Sequence, residues 1–341
     1  MTVTLSGRGV AASCCAHLLR ARGIATTMSD GHRPAGPVVM LSDAALALVR
    51  EVFEAPDLFA GAPRVTRRIV AWGGADPVAM PHDATILTAA AIARALGTVA
   101  ERALAAREYA SPEFTAADFT IHAAAPLPSG APLRFGTREA TATPARFRNP
   151  AAATDCWIES LDAGWLFLIP TGADGAGWLL SVGAPLDAAI AGSRHIIPRV
   201  TLDEARCETF DPAPRIAPRP VGSDWLACGS AAIAFDPICG DGTAQAVRGA
   251  ILAAAVIGAM HDGGNAEALT GHYQAMLTAA MRRHLQLCEP FYRSGGDGRW
   301  WQQAHDALMH GHDWCTRRLS AAPAPRYVLR GYDLVEREIA A

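Results

Sequence analysis

Between Thr243 and Met260 the chain carries a single charged residue, Arg248. A helix with no polar face has to be enclosed along most of its length. It is entered from an apolar strand, Trp225 to Cys228, through the glycine-punctuated run Gly229-Ser-Ala-Ala-Ile-Ala-Phe-Asp236-Pro237-Ile-Cys239-Gly240-Asp241-Gly242. The amino end of this buried helix brings free backbone N–H groups and positive dipole charge into the interior, where an anionic ring system can sit.

The other end of the chain supplies a second such turn. Val3 and Leu5 begin a short strand, Gly7-Arg-Gly9-Val-Ala-Ala12 follows, and Ala11 to Arg22 has helical periodicity closed by Gly23. Ile24 to Met28 reads as the next strand and ends at Asp30, giving a βαβ start of the buried, parallel kind. The turn fits G-x-G-x-x-G/A: Gly7 makes the bend, Gly9 lets the backbone approach a pyrophosphate, and Ala12 lets the helix lie on the strand. Asp30 comes about twenty residues later, where a carboxylate hydrogen-bonds a ribose diol. The competing reading is a βαβ unit that binds no nucleotide.

With 341 residues the chain has room for one large or two ordinary domains. The expected fold is α/β. A discontinuous Rossmann-like nucleotide domain takes residues 1–50, 80–130 and 211–265. An inserted antiparallel β domain for substrate takes 51–79 and 131–210, and a helical region takes 266–341. Within this plan Ser42 caps a helix to Phe53, Ala84 to Arg107 is helical, and Asp118-Phe-Thr-Ile-His-Ala-Ala returns to the first sheet. Alternating stretches such as Cys156-Trp-Ile-Glu-Ser and Gly164-Trp-Leu-Phe-Leu-Ile predict hairpins.

A net charge of −3 with mixed signs excludes a nucleic-acid footprint. All 30 basic residues are arginine, so no Schiff base and no lysine acid or phosphate ligand can operate. Eight scattered cysteines without CxxC or zinc spacing, and no basic leader before the first strand, predict a cytoplasmic protein with reduced thiols and no metal. Ile251 to Met260 is too short to span a bilayer, and Arg248 interrupts its extension, so no transmembrane segment is expected. His310 and His312, near Asp313, are expected in a loop. The oligomeric state is open.

Four segments in order resemble the FAD-dependent monooxygenase and tryptophan-halogenase-like flavoproteins, a family that includes flavoproteins modifying tryptophan in quinone-cofactor enzymes. They are Gly7 to Ala12 with Asp30, the 118–124 strand, Gly164-Trp165-Leu-Phe-Leu-Ile169-Pro170, similar to the family's G-W-x-W-x-I-P, and Trp225 to Ala246, similar to its "G-D-A-A…D-P-x-x-G-x-G". There are departures. Ser230 stands at the G-D aspartate, Ala124 or Ala125 at a usual glycine, and Phe167 at the second tryptophan. No arginine precedes the second helix near His82-Asp83. The catalytic lysine of true halogenases has no counterpart.

The resemblance implies FAD held by Gly7, Gly9, Ala12, Asp30, Ser230, Asp236, Pro237, Gly240, Asp241, Gly242 and Thr243, with NAD(P)H as a transient reductant. It implies hydroxylation of an aromatic or indole-like substrate, small molecule or peptide or protein side chain, through a flavin C4a-(hydro)peroxide. Trp157, Trp165, Phe167 and Ile169 are candidates for the substrate pocket wall, and Asp236 and Glu159 for proton transfer. Structural roles for both carboxylates, an FAD-dependent reductase, dehydrogenase or cyclase, and a degenerate flavin-free binding scaffold stay open as alternatives.

Overall fold

The computed structural model describes residues 1–29, 37–105, 118–172 and 174–337; Asp30 lies outside these. The strand Thr2–Ser6 is flanked by Ala25–Ser29 on one side and Phe119–His122 on the other, and Trp225–Ala227 completes a four-stranded sheet in which every pairing is parallel. Val3 and Leu5 alternate inward and are fully buried. The helix Val10–Ala21 is rich in small residues, so it packs closely between this sheet and the long helix Gly242–His261. Cys15 sits at that junction, with its Sγ 3.5 Å from the Ala250 carbonyl and 3.8 Å from Cys228 Sγ.

The Gly242–His261 helix is longer than the Ile251–Met260 stretch on which the expectation rested. Its 20 residues are long and apolar enough to cross a membrane by length and composition, but 78% of the apolar window is buried inside the fold. Its composition is that of a core helix, and Arg248 stands on the exposed side.

The second sheet has nine strands and is mixed. Hairpins join Asp155–Leu161 to Gly164–Pro170 and Gly164–Pro170 to Ala176–Val182, whereas Arg64–Ala71 runs parallel to Asp155–Leu161. The sequence expectation of an all-antiparallel insert fails at that one junction. Residues 84–88, expected to be helical, complete the strand Val78–Thr88, and the helix begins only at Ala89. Thr85 and Ile86 are β-branched and pair with Leu41 and Met40 of the strand Val38–Ser42, so cross-strand packing outweighs the helical preference of the alanines around them.

Two helices, Ala266–Ser294 and Arg299–Ser320, pack against each other, and a short hairpin of Tyr327–Arg330 and Asp333–Glu336 follows. His310 and His312 lie on the second of these helices rather than in a loop. The mixed sheet separates two apolar clusters. A large one continues into the nucleotide domain and the C-terminal helices, and a small one is built on Trp157, Leu166, Leu168 and Leu179.

Candidate functional site

The two glycine turns meet. Gly7 has φ +116° and donates its N–H to the Ser29 carbonyl at 3.0 Å. A Cβ there would lie 3.2 Å from Ala124 Cβ, which leaves no spare room on that side. Gly229, at the end of the fourth parallel strand, has φ +56°, and a Cβ on it would come within 2.7 Å of Ala11 Cβ. Only glycine satisfies both the left-handed backbone and the approach of the first helix. Ser230 follows in the short helix Gly229–Ala232 and is half-buried.

The helices Val10–Ala21 and Gly242–His261 both begin without a side-chain cap. Gly9 and Asp241 are the N-cap residues, and neither makes a capping hydrogen bond. Gly240 takes the left-handed conformation, and a Cβ built on Gly240 or Gly242 meets nothing within 4 Å. Gly242 lacks a positive φ as well, so neither conformation nor neighbours demand glycine there. A planar ligand passing close to the backbone would supply that demand. Uncapped amides at two helix ends suit a pyrophosphate and an anionic ring edge. The residues present therefore fit FAD, with Gly7, Gly9 and Ala12 at one end and Pro237, Gly240, Gly242 and Thr243 at the other. The Asp241 carboxylate turns to Arg248, 2.7 Å away, so its charge is compensated outside the loop.

Asp236 is fully enclosed. Its Oδ1 accepts the Ile238 N–H at 3.0 Å and caps the turn Pro237–Cys239. Its Oδ2 is ion-paired with Arg138 and accepts the Tyr292 hydroxyl at 2.7 Å. The Asp236 N–H donates to His284 Nε2 at 2.7 Å. Burial raises the carboxyl's pKa, and the Arg138 guanidinium and the two hydrogen bonds oppose the rise. Burial and the nearby Arg138 lower the His284 pKa to about 3, so its ring is neutral. Arg138 itself donates to the Ala304 carbonyl at 3.2 Å and lies 4.3 Å from the Tyr292 ring centroid. Asp236 thus holds the shape of the 237–242 loop, and both its oxygens are engaged.

The mixed sheet divides the four pocket candidates. Phe167 lies opposite Ile158 and Leu168 opposite Trp157, and directly opposed residues share a face. Trp165, Phe167 and Ile169 therefore face the large core, and Trp157 faces the small cluster behind the sheet. Trp165 is completely buried and donates its Nε1–H to Tyr292 Oη at 3.3 Å.

Glu159 opposes Leu166 and so sits behind the sheet with Trp157, away from Trp165, Phe167 and Ile169. A cleft of about 1030 Å³ opens beside it, bounded by Gly73, Arg194, His195 and Asp297 among others. The carboxylate does not face that space freely. It accepts Ser193 Oγ at 2.6 Å and the N–H groups of Arg194, His195 and Ile196 at 2.7, 3.1 and 3.0 Å. Its role is to anchor the 193–196 turn.

Sequence reasoning gave Arg138, His284, Cys288 and Tyr292 no role at the 237–242 loop. Three of these recur at a spacing of four on one helix, a legible stripe, but nothing local says what the stripe meets. It also missed Arg68, which stands 5.9 Å over the Phe167 ring and 3.1 Å from His82 Nε2.

No protein-family model matches the chain, and no curated protein matches it in sequence. Solved structures do. The peptidyl tryptophan dihydroxylase QhpG, described as essential for tryptophylquinone cofactor biogenesis, superposes with TM-score 0.73 at 20% identity over 98% of this chain and 86% of its own. The flavin-dependent halogenase CmlS gives 0.74 at 16% identity, covering 94% and 71%. HpxO from Klebsiella pneumoniae, solved with FAD, gives 0.60 at 12% identity, covering 94% and 95%. The chain shares the Rossmann-like α/β fold of these proteins.

Proposed function

We propose that the protein is an FAD-dependent monooxygenase that hydroxylates an aromatic or indole-like substrate, free or carried in a peptide or protein, in the cytoplasm. The observation that carries this reading is the contact of Gly229 with Ala11 and of Cys15 with Ala250, which packs the helix opened by Gly7 and Gly9 against the helix opened by Gly240 and Gly242, in the fold shared with a tryptophan dihydroxylase and a flavin-dependent halogenase. The proposed division keeps the nucleotide domain at 1–50, 80–130 and 211–265, the substrate domain at 51–79 and 131–210, and the helical region at 266–341. Asp30 is proposed for the ribose and Ser230 for the pyrophosphate or ribityl oxygens, by hydrogen bond rather than charge.

When bound, the flavin would supply electrons for dioxygen activation, with NAD(P)H as the proposed source of those electrons. The chain's own residues do the rest. The amides of Gly242 and Thr243 and the helix dipole would favour negative charge on a flavin held there. Asp236, clamped by Arg138, Tyr292 and His284, keeps those amides in place. Phe167 and Ile169, on the sheet face turned to the large core, would offer a substrate an apolar wall that excludes water and orients a ring. Without any lysine, oxidation that depends on an ammonium group for halide transfer is not available.

The test is an absorption spectrum of the purified protein between about 350 and 500 nm, where the flavin absorbs, followed by FAD titration and by oxygen uptake with NAD(P)H. A colourless protein that fails to bind FAD overturns the proposal. Bound FAD without substrate-dependent oxygen uptake moves it to a dehydrogenase, reductase or cyclase.

A further inference from the structure

The loop proposed to face the flavin carries a half-buried thiol, Cys239, whose Sγ lies 3.4 Å from Sγ of the fully buried Cys288. Cys239 closes the turn Pro237–Cys239 just before Gly240, and Cys288 lies on the helix Ala266–Ser294 two residues before Pro290. The same helix face holds the loop at two further points. His284 accepts the Asp236 N–H, with its ring stacked on Phe235 at 3.9 Å, and Tyr292 donates to Asp236 Oδ2. The thiol pair therefore sits inside an already fixed contact, between residues of which one is reached by solvent.

Cys239, His284 and Cys288 also offer three metal-ligand atoms within 4.8 Å of one another. The histidine is not free for that use. Its Nε2 lone pair receives the Asp236 N–H, so the neutral ring carries its proton on Nδ1 and presents no second lone pair. A metal would have to break the clamp on Asp236 or bind an imidazolate. Two sulfurs without a usable nitrogen point to sulfur chemistry instead.

We propose that Cys239 and Cys288 are an oxidation site, forming a reversible disulfide that ties the 237–242 loop to the C-terminal helix. Closing the bond brings the sulfurs from 3.4 Å to about 2.05 Å, a shift that Gly240 on one side and the proline-interrupted helix on the other can absorb. With hydrogen peroxide as oxidant, the Cys239 thiol gives a sulfenic acid and one water. The Cys288 sulfur then displaces hydroxide from it, forming the S–S bond and a second water. Peroxide is reduced by two electrons and the two thiols are oxidised by two. Cys239 is reached by solvent and Cys288 is buried, so peroxide meets Cys239 first and Cys288, its thiol pushed up by burial, resolves. The cross-link does not depend on the flavin reading.

The test treats the reduced full-length protein with hydrogen peroxide, alkylates the remaining thiols, and maps non-reduced tryptic peptides by mass spectrometry. The expected product joins peptide 216–248 to peptide 284–293, weighs two hydrogen atoms less than the free pair, and disappears with dithiothreitol. Cys228 shares the first peptide, so the cross-link must survive Cys228→Ser and vanish in Cys239→Ser. Both thiols alkylated after peroxide, or a sulfinic acid on Cys239 with Cys288 still a thiol, overturns the proposal. So does stoichiometric zinc that co-purifies on gel filtration, blocks the cross-link and is lost in Cys239→Ser, which would make this a metal site.

Discussion

Replacing Gly229 by alanine tests the contact on which the site depends. The residue has φ +56°, which costs an L-residue about 1–2 kcal/mol. The new Cβ would stand 2.7 Å from Ala11 Cβ, against an ordinary carbon–carbon separation of about 3.5–4.0 Å. Relief requires the first helix and the strand end to part by about 1 Å in a packed core, at about 1–3 kcal/mol. The expected loss is about 2–5 kcal/mol, read from urea unfolding followed by tryptophan fluorescence at unchanged m-value. Ala11→Gly alone costs about 1 kcal/mol in helix propensity. In the double variant the clash disappears and the backbone strain remains, so the pair should be less damaging than the sum by about 1–3 kcal/mol. Additivity within about 0.5 kcal/mol would mean that the two turns do not touch, and the site as built here would fail.

Three further outcomes are expected. The His284 pKa is lowered to about 3, so between about pH 6.5 and 3 the unfolded chain binds a proton that the folded chain refuses. Stability should therefore fall with falling pH in that window, by about 1.4 kcal/mol per unit from this group, and the slope should flatten by that amount in His284→Gln, measured as the difference from wild type. Glu159→Gln should cost about 2–3 kcal/mol of unfolding free energy by weakening charge-assisted bonds to the 193–196 turn; normal stability with lost turnover would restore a catalytic role. A Cβ at Gly242 meets no neighbour, so in Gly242→Ala unfolding should change by less than about 0.5 kcal/mol, while FAD affinity should fall at least about tenfold by titration, equivalent to about 1.4 kcal/mol.

The parts of the fold that were legible in the sequence are local in the chain. The first strand, the Gly7–Ala12 turn, the helix behind it and the returning strand at 119–122 each rest on apolar runs and turn residues within a few positions. The parts that were not legible are set by pairing partners. Trp157 and Phe167 each look like pocket residues, but the register that opposes Leu168 to Trp157 and Ile158 to Phe167 puts them on opposite sides of the sheet. The strand at 84–88 is alanine-flanked and looks helical until Leu41 and Met40 are laid beside it. Arg138 reads as one arginine among many, because its partner Asp236 lies 98 positions away.

Asp236 shows how far such a partner changes a residue's meaning. In sequence it is an aspartate before a proline beside a glycine loop, equally suited to proton transfer and to capping. In the fold, both of its oxygens and its own amide are engaged: Arg138 and Tyr292 on one oxygen, Ile238 N–H on the other, and His284 on the amide. A buried ion pair of this kind adds little net stability, because desolvation offsets attraction, yet removing one partner costs about 3–5 kcal/mol. The arrangement therefore holds the loop to one geometry. The amides of Gly242 and Thr243 follow directly from that geometry, so the C-terminal helix that carries His284 and Tyr292 shapes the proposed flavin end of the site without needing to touch the ligand.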